Sequence, residues 1–218
     1  MSEIYGIGAL ALKRANDSFA GSLGRDALAN MESEVAGCIA DLLAALRIEP
    51  DHNTRDTPDR VARMMVREVF SGRYDAPPVV TDFPNLGADL DQIYAVGPVA
   101  FRSTCAHHLV PIMGQAWVGV VPSGRVIGLS KFHRLTGWIM SRPQIQEEAT
   151  EQLADALSEA MQPRGLALVL RAKHMCCGWR GVRDDGSLMT TSIMRGICKE
   201  DSKARLEFMS LIAGMGYG

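Results

Sequence analysis

The order of apolar patterns along this chain predicts an α+β fold built on a largely antiparallel sheet. Three observations carry the prediction. Two helical periodicities open the chain, β-type runs begin at Ile93, and two helices, two further strands and a last helix close it. With 218 residues there is one large domain, or a domain with an N-terminal appendage, and enough chain for a real core.

Residues 1–25 mix Gly, Ala, Ser and isolated charges without a clear period and are expected to form a mobile arm or a loosely held helix. Over 27–48, Leu28, Met31, Val35, Ile39, Leu42 and Leu46 recur at three- and four-residue steps, predicting an amphipathic helix. Residues 48–55 read as a loop. Thr57-Pro58 then opens a second helix, Thr as N-cap and Pro at the first helical position, with Val61, Met64, Met65 and Val69 facing inward. Arg60, Arg63 and Arg67 line one side of it, an arrangement that by spacing alone describes a solvated face. Ser71-Gly72 ends the helix, and a loop containing Pro77, Pro78 and Pro84 follows. Strands are expected over 93–104 and 114–122, the second closed by Ser123-Gly124. Helices are expected over 130–141 and 144–161, a buried strand over 166–172, a strand over 188–197 and a helix over 202–211. The chain thus divides into an arm (1–25), an N-terminal helical region (26–92) and a sheet-bearing domain (93–218).

Composition bounds the function. A net charge of -2 argues against a general nucleic-acid binder, so any anionic ligand has to meet a local basic cluster. No apolar run reaches the roughly 18 residues needed to span a bilayer, and none points to a membrane partner. The apolar patch from Ile4 to Leu12 has Glu3 before it and Lys13-Arg14 after it, the wrong order for a secretory signal. Five unevenly spaced cysteines do not make a disulfide framework, and a reduced, cytoplasmic protein is expected.

The chemistry concentrates in two knots. Ser103-Thr104-Cys105-Ala106-His107-His108-Leu109-Val110-Pro111 places one thiol and two imidazoles within four residues, and His174-Met175-Cys176-Cys177 repeats the same two functions downstream. Taken singly, buried cysteines and lone histidines are ordinary core residues. Two such knots together point to a metal, and a Cys/His donor set suits zinc where calcium and magnesium want oxygen. In an extended segment, His174 and Cys176 would point to the same side and could converge on one site.

Several stretches resemble GTP cyclohydrolase I of the tunnelling-fold superfamily. Asp56-Thr57-Pro58-Asp59-Arg60-Val61-Ala62-Arg63-Met64 is similar to that family's entry helix. Cys105-Ala106-His107-His108-Leu109-Val110-Pro111 is similar to its Cys-Glu-His-His-Leu-Val-Pro signature with one change. Gly128-Leu129-Ser130-Lys131-Phe132, Gln144-Ile145-Gln146-Glu147, His174-Met175-Cys176, Arg180-Gly181-Val182 and Thr191-Ser192 match later blocks in family order, so the resemblance runs from about residue 27 to 212.

The resemblance implies a tunnelling fold (T-fold): a four-stranded antiparallel sheet backed by two helices, with a helical N-terminal extension, assembling into a barrel. The homo-oligomer it implies is a decamer with sites between subunits. It further implies Cys105, His108 and Cys176 as ligands of Zn2+, with a fourth position open to water for attack on C8 of GTP. Formate would leave, and 7,8-dihydroneopterin triphosphate would be the product. His107 and His174 would be the acid–base pair. Glu147, with Gln146 beside it, would read the guanine edge; apart from the resemblance, Glu147 is simply a favourable charge at a helix N-terminus. Ser130, Lys131, Arg134 and Arg180 would hold the triphosphate, with Arg60 and Arg63 given by a neighbouring subunit.

Ala106 departs from the pattern, because a methyl group neither accepts a hydrogen bond nor carries charge. Full activity, a reaction stalled after ring opening, and another purine nucleotide as substrate all stay open, as does a non-catalytic T-fold binding protein. Cys177, Trp179 and His133 are further local differences. A relative that reduces a deazaguanine nitrile would use a cysteine nucleophile and would not need the Cys, His and Cys triple.

Overall fold

A computed structural model describes residues 19–85 and 92–217. The expected arm lies, up to residue 18, outside the described residues. Helix α1 (Arg25–Ala45) stops three residues before its expected end, because Arg47 turns to φ +59° and breaks the helical path. Of its apolar stripe only Leu28 is buried, while Leu42 and Leu46 are 52% and 60% exposed. The helix packs mainly on α2 (Thr57–Met64), and Glu32 pairs with Arg67 beyond it. Arg67 is thereby turned to α1 and does not share an open face with Arg60 and Arg63.

Asp56, not Thr57, is the N-cap of α2, so the helix starts one residue earlier than expected. A π turn over Met65–Val69 extends it and shifts the phase of its side chains. Ala62 and Val66, four residues apart, face inward, while Met64, expected inside, is 41% exposed. A 3-10 turn, Ser71–Arg73, then fastens this region to the rest of the molecule. Gly72 donates its N–H to Ser141 O at 3.0 Å and accepts from Arg142 Nε at 3.0 Å. A Cβ there would run into the backbone oxygens of Trp138 and Ser141, so glycine is required by close approach.

The main sheet holds β2 (Tyr94–Cys105), β3 (Pro111–Val121), β6 (Gly165–His174) and β7 (Met189–Gly196) as antiparallel neighbours in that order. Two short additions were not expected. β1 (Asp82–Pro84) and β4 (Arg125–Ile127) form a separate ribbon, joined by an Asp82–Arg125 ion pair. β5 (Pro143–Gln144) lies parallel to the end of β2, so Gln144, expected in a helix, is a strand residue. Runs this short carry no readable period.

Helices α3 (Leu129–Met140) and α4 (Gln146–Met161) cover one face of the sheet. Phe101, Ile112, Val118, Leu168 and Leu170 pack there with Phe132, Leu135, Leu153 and Leu157. On the opposite face Trp117, Ala167 and Val169 are covered by Phe208 and Ile212 of α7 (Ser202–Ile212), which follows two short helices, α5 (Met175–Gly178) and α6 (Ile197–Glu200). Being covered on both faces, β6 reads in sequence as a continuous apolar run. This is the four-stranded antiparallel sheet backed by two helices that the tunnelling fold calls for. No helix among the described residues is long and apolar enough to cross a membrane.

Candidate metal centre and active site

The strand register brings the two knots together. Ile112 pairs with Ser103 on one side and His174 on the other, so the ends of β2 and β6 flank the start of β3. Cys105 ends β2 and is buried, its N–H bonded to Val110 O and its carbonyl to Leu109 N, both at 2.9 Å. That closes the exposed turn of Ala106, His107 and His108, in which Leu109 adopts φ +53°, a conformation unfavourable for a leucine. Ala106 N donates to Gln144 O at 3.2 Å, so β5 supports the turn from the side.

Cys176 reaches the site differently from the expectation. β6 ends at His174, and Cys176 stands on the single-turn helix α5, so a change of backbone direction, not strand alternation, aims its sulfur at Cys105. The ligand atoms of Cys105, His108 and Cys176 lie within 4.8 Å of one another. His108 Nδ1 is 3.9 Å from the Cys105 sulfur, and its Nε2 is 3.0 Å from Arg180 Nη1. Two soft sulfurs and one imidazole at this spacing can share one borderline-soft metal ion.

Burial first, then the neighbouring Cys105 and Cys177 sulfurs, push the Cys176 thiol up to about 11. At pH 7 that sulfur therefore carries a proton, which a metal has to expel. Metal uptake is expected to release protons, and apparent affinity is expected to rise with pH by about tenfold per unit for each proton displaced. Titrating metal-free protein with zinc and a pH indicator at several pH values checks this; a pH-independent affinity would contradict it.

His174 is half-buried at the edge of the cluster. Desolvation lowers its pKa below the usual imidazole value, and the nearby Glu147 carboxylate works in the opposite direction. Its Nε2 lies 2.8 Å from Gln146 Oε1. Gln146 itself is 3% exposed, and its amide nitrogen is engaged by Leu170 O, Met189 O and Thr191 Oγ1. Gln146, expected to read a base edge beside Glu147, thus has its side-chain amide engaged within the chain. Glu147, one residue on, is exposed at the start of α4.

The remaining expected site residues are not brought to the cluster by one chain. Ser130, Lys131 and Arg134 sit on the first half of α3, which begins beside β4. The far end of α3 approaches Cys105, since Gln144 Nε2 bonds Ile139 O at 2.9 Å and Gln144 pairs with Cys105. Ten residues at 1.5 Å each place roughly 15 Å of helix between Ser130 and that end. Lys131 Nζ meanwhile donates to Val79 O at 3.0 Å. Arg60 pairs with Asp56 at 3.4 Å, and Arg63 is exposed on α2. Only Arg180, of the expected phosphate contacts, touches the cluster within the chain. His133 is exposed beside Arg134.

Buried polar residues were what the sequence did not announce. Gln144, Arg142 and Thr150 are 1–2% exposed, each in a stretch that reads as helix surface or turn. Thr191 stood inside a matched block without a role.

The profile of the GTP cyclohydrolase I family matches residues 35–213. The chain is 44% identical over 177 residues to GTP cyclohydrolase 1 of Mycobacterium ulcerans, covering 80% of this chain and 87% of that one. It is 41% identical over 184 residues to the proteins of the same name from Mycobacteroides abscessus and Mycobacterium tuberculosis, covering 83% of this chain and 89% and 90% of theirs. A more distant likeness, with a TM-score of 0.37 and 13% identity, covers 56% of this chain and 97% of a crystal structure of the archaeosine synthase QueF-Like in the apo form. With its ordered motif blocks, its sheet and helices and its Cys–His–Cys cluster, this chain belongs to the GTP cyclohydrolase I family.

Proposed function

We propose that the protein is a zinc-dependent hydrolase converting GTP and water to 7,8-dihydroneopterin triphosphate and formate. The convergence of Cys105, His108 and Cys176 within 4.8 Å carries the reading, in a chain that its relatives match over most of their length. These three residues would hold Zn2+, and three protein donors leave a position for water, the arrangement of a catalytic rather than a structural zinc. When bound, zinc supplies Lewis acidity that makes water nucleophilic near neutral pH. His107 and His174 would exchange protons during attack at C8, ring opening and the later ribose rearrangement. Exposure suits His107 to proton exchange with bulk water. The lowered pKa of His174 keeps it neutral and ready to accept a proton at pH 7.

Glu147 would accept from guanine N1–H and the 2-amino group. Glu147→Gln is expected to weaken GTP binding by about tenfold or more while metal content stays intact. Equal effects on GTP and on ITP, which lacks the 2-amino group, would count against this role.

Within one chain the triphosphate contacts are scattered, and assembly would complete them. A neighbouring copy would bring Ser130, Lys131 and Arg134 as well as Arg60 and Arg63 to the Arg180 side of each site. Sites shared in this way suit a barrel-forming homo-oligomer, with a decamer as the proposed size. The exposed Leu42, Leu46 and Met64 of the N-terminal helices offer apolar surface for such contacts. The division into an arm to residue 25, a helical region to 92 and a catalytic domain from 93 is retained as a proposal, although Gly72 and Arg142 bind the last two firmly together.

Incubating the zinc-loaded protein with GTP, while following formate release and pterin fluorescence together, tests the reading. Both signals mean a complete cyclohydrolase that tolerates Ala106. Formate without pterin places a stall after ring opening. Neither signal overturns the reading in favour of another purine nucleotide or a binding role.

A further inference from the structure

The geometry around His174 forms a closed set of hydrogen bonds whose directions can be deduced. Gln146 Nε2 lies 3.3 Å from Leu170 O and 3.2 Å from Met189 O, two backbone carbonyls that only accept. The amide nitrogen of Gln146 therefore occupies that side, since the flipped amide would set its oxygen against both carbonyls. Gln146 Oε1 then faces His174 Nε2 at 2.8 Å. An amide oxygen cannot donate, so Nε2 of His174 carries the hydrogen.

Two threonines hold the amide in place. Thr150 Oγ1 donates to Gln146 O at 2.6 Å, which uses its single hydrogen. At the 2.7 Å contact between the two hydroxyls, Thr191 must then be the donor and Thr150 the acceptor. With its hydrogen so engaged, Thr191 Oγ1 accepts from Gln146 Nε2 at 3.1 Å. The ring runs one way, from the Gln146 amide to Thr191, to Thr150 and back to the Gln146 carbonyl. Gln146 and Thr150 are nearly fully buried on α4, and Thr191 reaches them from β7.

We propose that Gln146 is a positioning residue, locked by Thr191 and two strand carbonyls, that holds the neutral His174 imidazole as its Nε2–H tautomer. The Nδ1 lone pair is then the one proton acceptor this imidazole offers. The register of β6 and β7 against the first turn of α4 is what sets the tautomer. The kinetic part of the inference rests on the cyclohydrolase reading; the tautomer does not.

Nitrogen-15 NMR of the full-length, zinc-loaded protein labelled at histidine tests it, with the His174 signals assigned by their loss in His174→Gln. The expected spectrum shows a protonated Nε2 and a bare Nδ1 for neutral His174; the opposite pattern in the unmutated protein overturns the proposal without any variant having to fold. In Gln146→Met a mixture of tautomers is expected, with kcat for formate release down about tenfold to a hundredfold and KM for GTP unchanged. Thr191→Val, a milder change, should move both readouts in the same direction by less. A tautomer unchanged in Gln146→Met, or a loss that falls on KM alone, overturns the positioning role. If the unmutated protein releases no formate from GTP, the cyclohydrolase reading fails, and the spectra still decide the tautomer.

Discussion

Replacing Cys176 by alanine is expected to abolish metal binding and formate release together. The cluster has three donors, and removing one leaves Cys105 and His108, too few to retain a catalytic zinc against water. The loss of Lewis acidity is worth several kcal/mol, so at about 1.4 kcal/mol per decade the rate should fall by about a thousandfold or more. Cys177→Ala is the control, since Cys177 adjoins the cluster without belonging to it, and it should keep its metal. Metal analysis and formate assays on both variants check the pair. Full turnover by Cys176→Ala would remove the proposed centre altogether.

The second large effect is structural. Arg142 is 2% exposed; it donates from Nε to Gly72 O at 3.0 Å and from Nη1 to Gln152 Oε1 at 2.8 Å, and it lies over the Trp138 ring at 4.1 Å. Its own carbonyl accepts from Ser103 Oγ at 3.4 Å, two residues before Cys105. Arg142→Met keeps much of the volume but strands the two acceptors in a buried place. A loss of about 3 kcal/mol is expected, since each hydrogen bond to a charged group contributes about 1.5–3 kcal/mol. Urea unfolding of the metal-loaded protein should show a lower midpoint, and proteolysis should attack first near the 71–73 turn. A midpoint unchanged from the parent would mean that Arg142 does not hold this joint.

Much of the fold was legible because its long elements are periodic. α4 and α7 begin or end within two residues of expectation, and β6 announces itself as an unbroken apolar run because both its faces are covered. The metal triple was legible for a different reason: three donors of matching softness stand in two short knots, and chemistry that specific does not need periodicity. The phase of α2 was not legible, because Val61, Met64, Met65 and Val69 recur at helical spacing while the residues the fold buries are Ala62 and Val66, and apolar residues one position apart offer the same local pattern. Gln144 and Gln146 show the same limit. In sequence they are two polar residues near a helix start, with nothing to separate a base-reading amide from a buried one.

The sequence alone, then, determined the class of fold, the family and which Cys and His side chains could share a metal ion, because apolar period and ligand type are properties of residues read one segment at a time. Tertiary structure alone decided which atoms are free to act. Whether Gln146 meets a substrate or a histidine, whether Ser130 and Lys131 lie near Cys176, and which nitrogen of His174 holds a proton all depend on distances between segments far apart in the chain. Those distances are set by strand register and by the seating of α3 and α4 on the sheet, and hydrogen bonds respond to tenths of an ångström that no local pattern records.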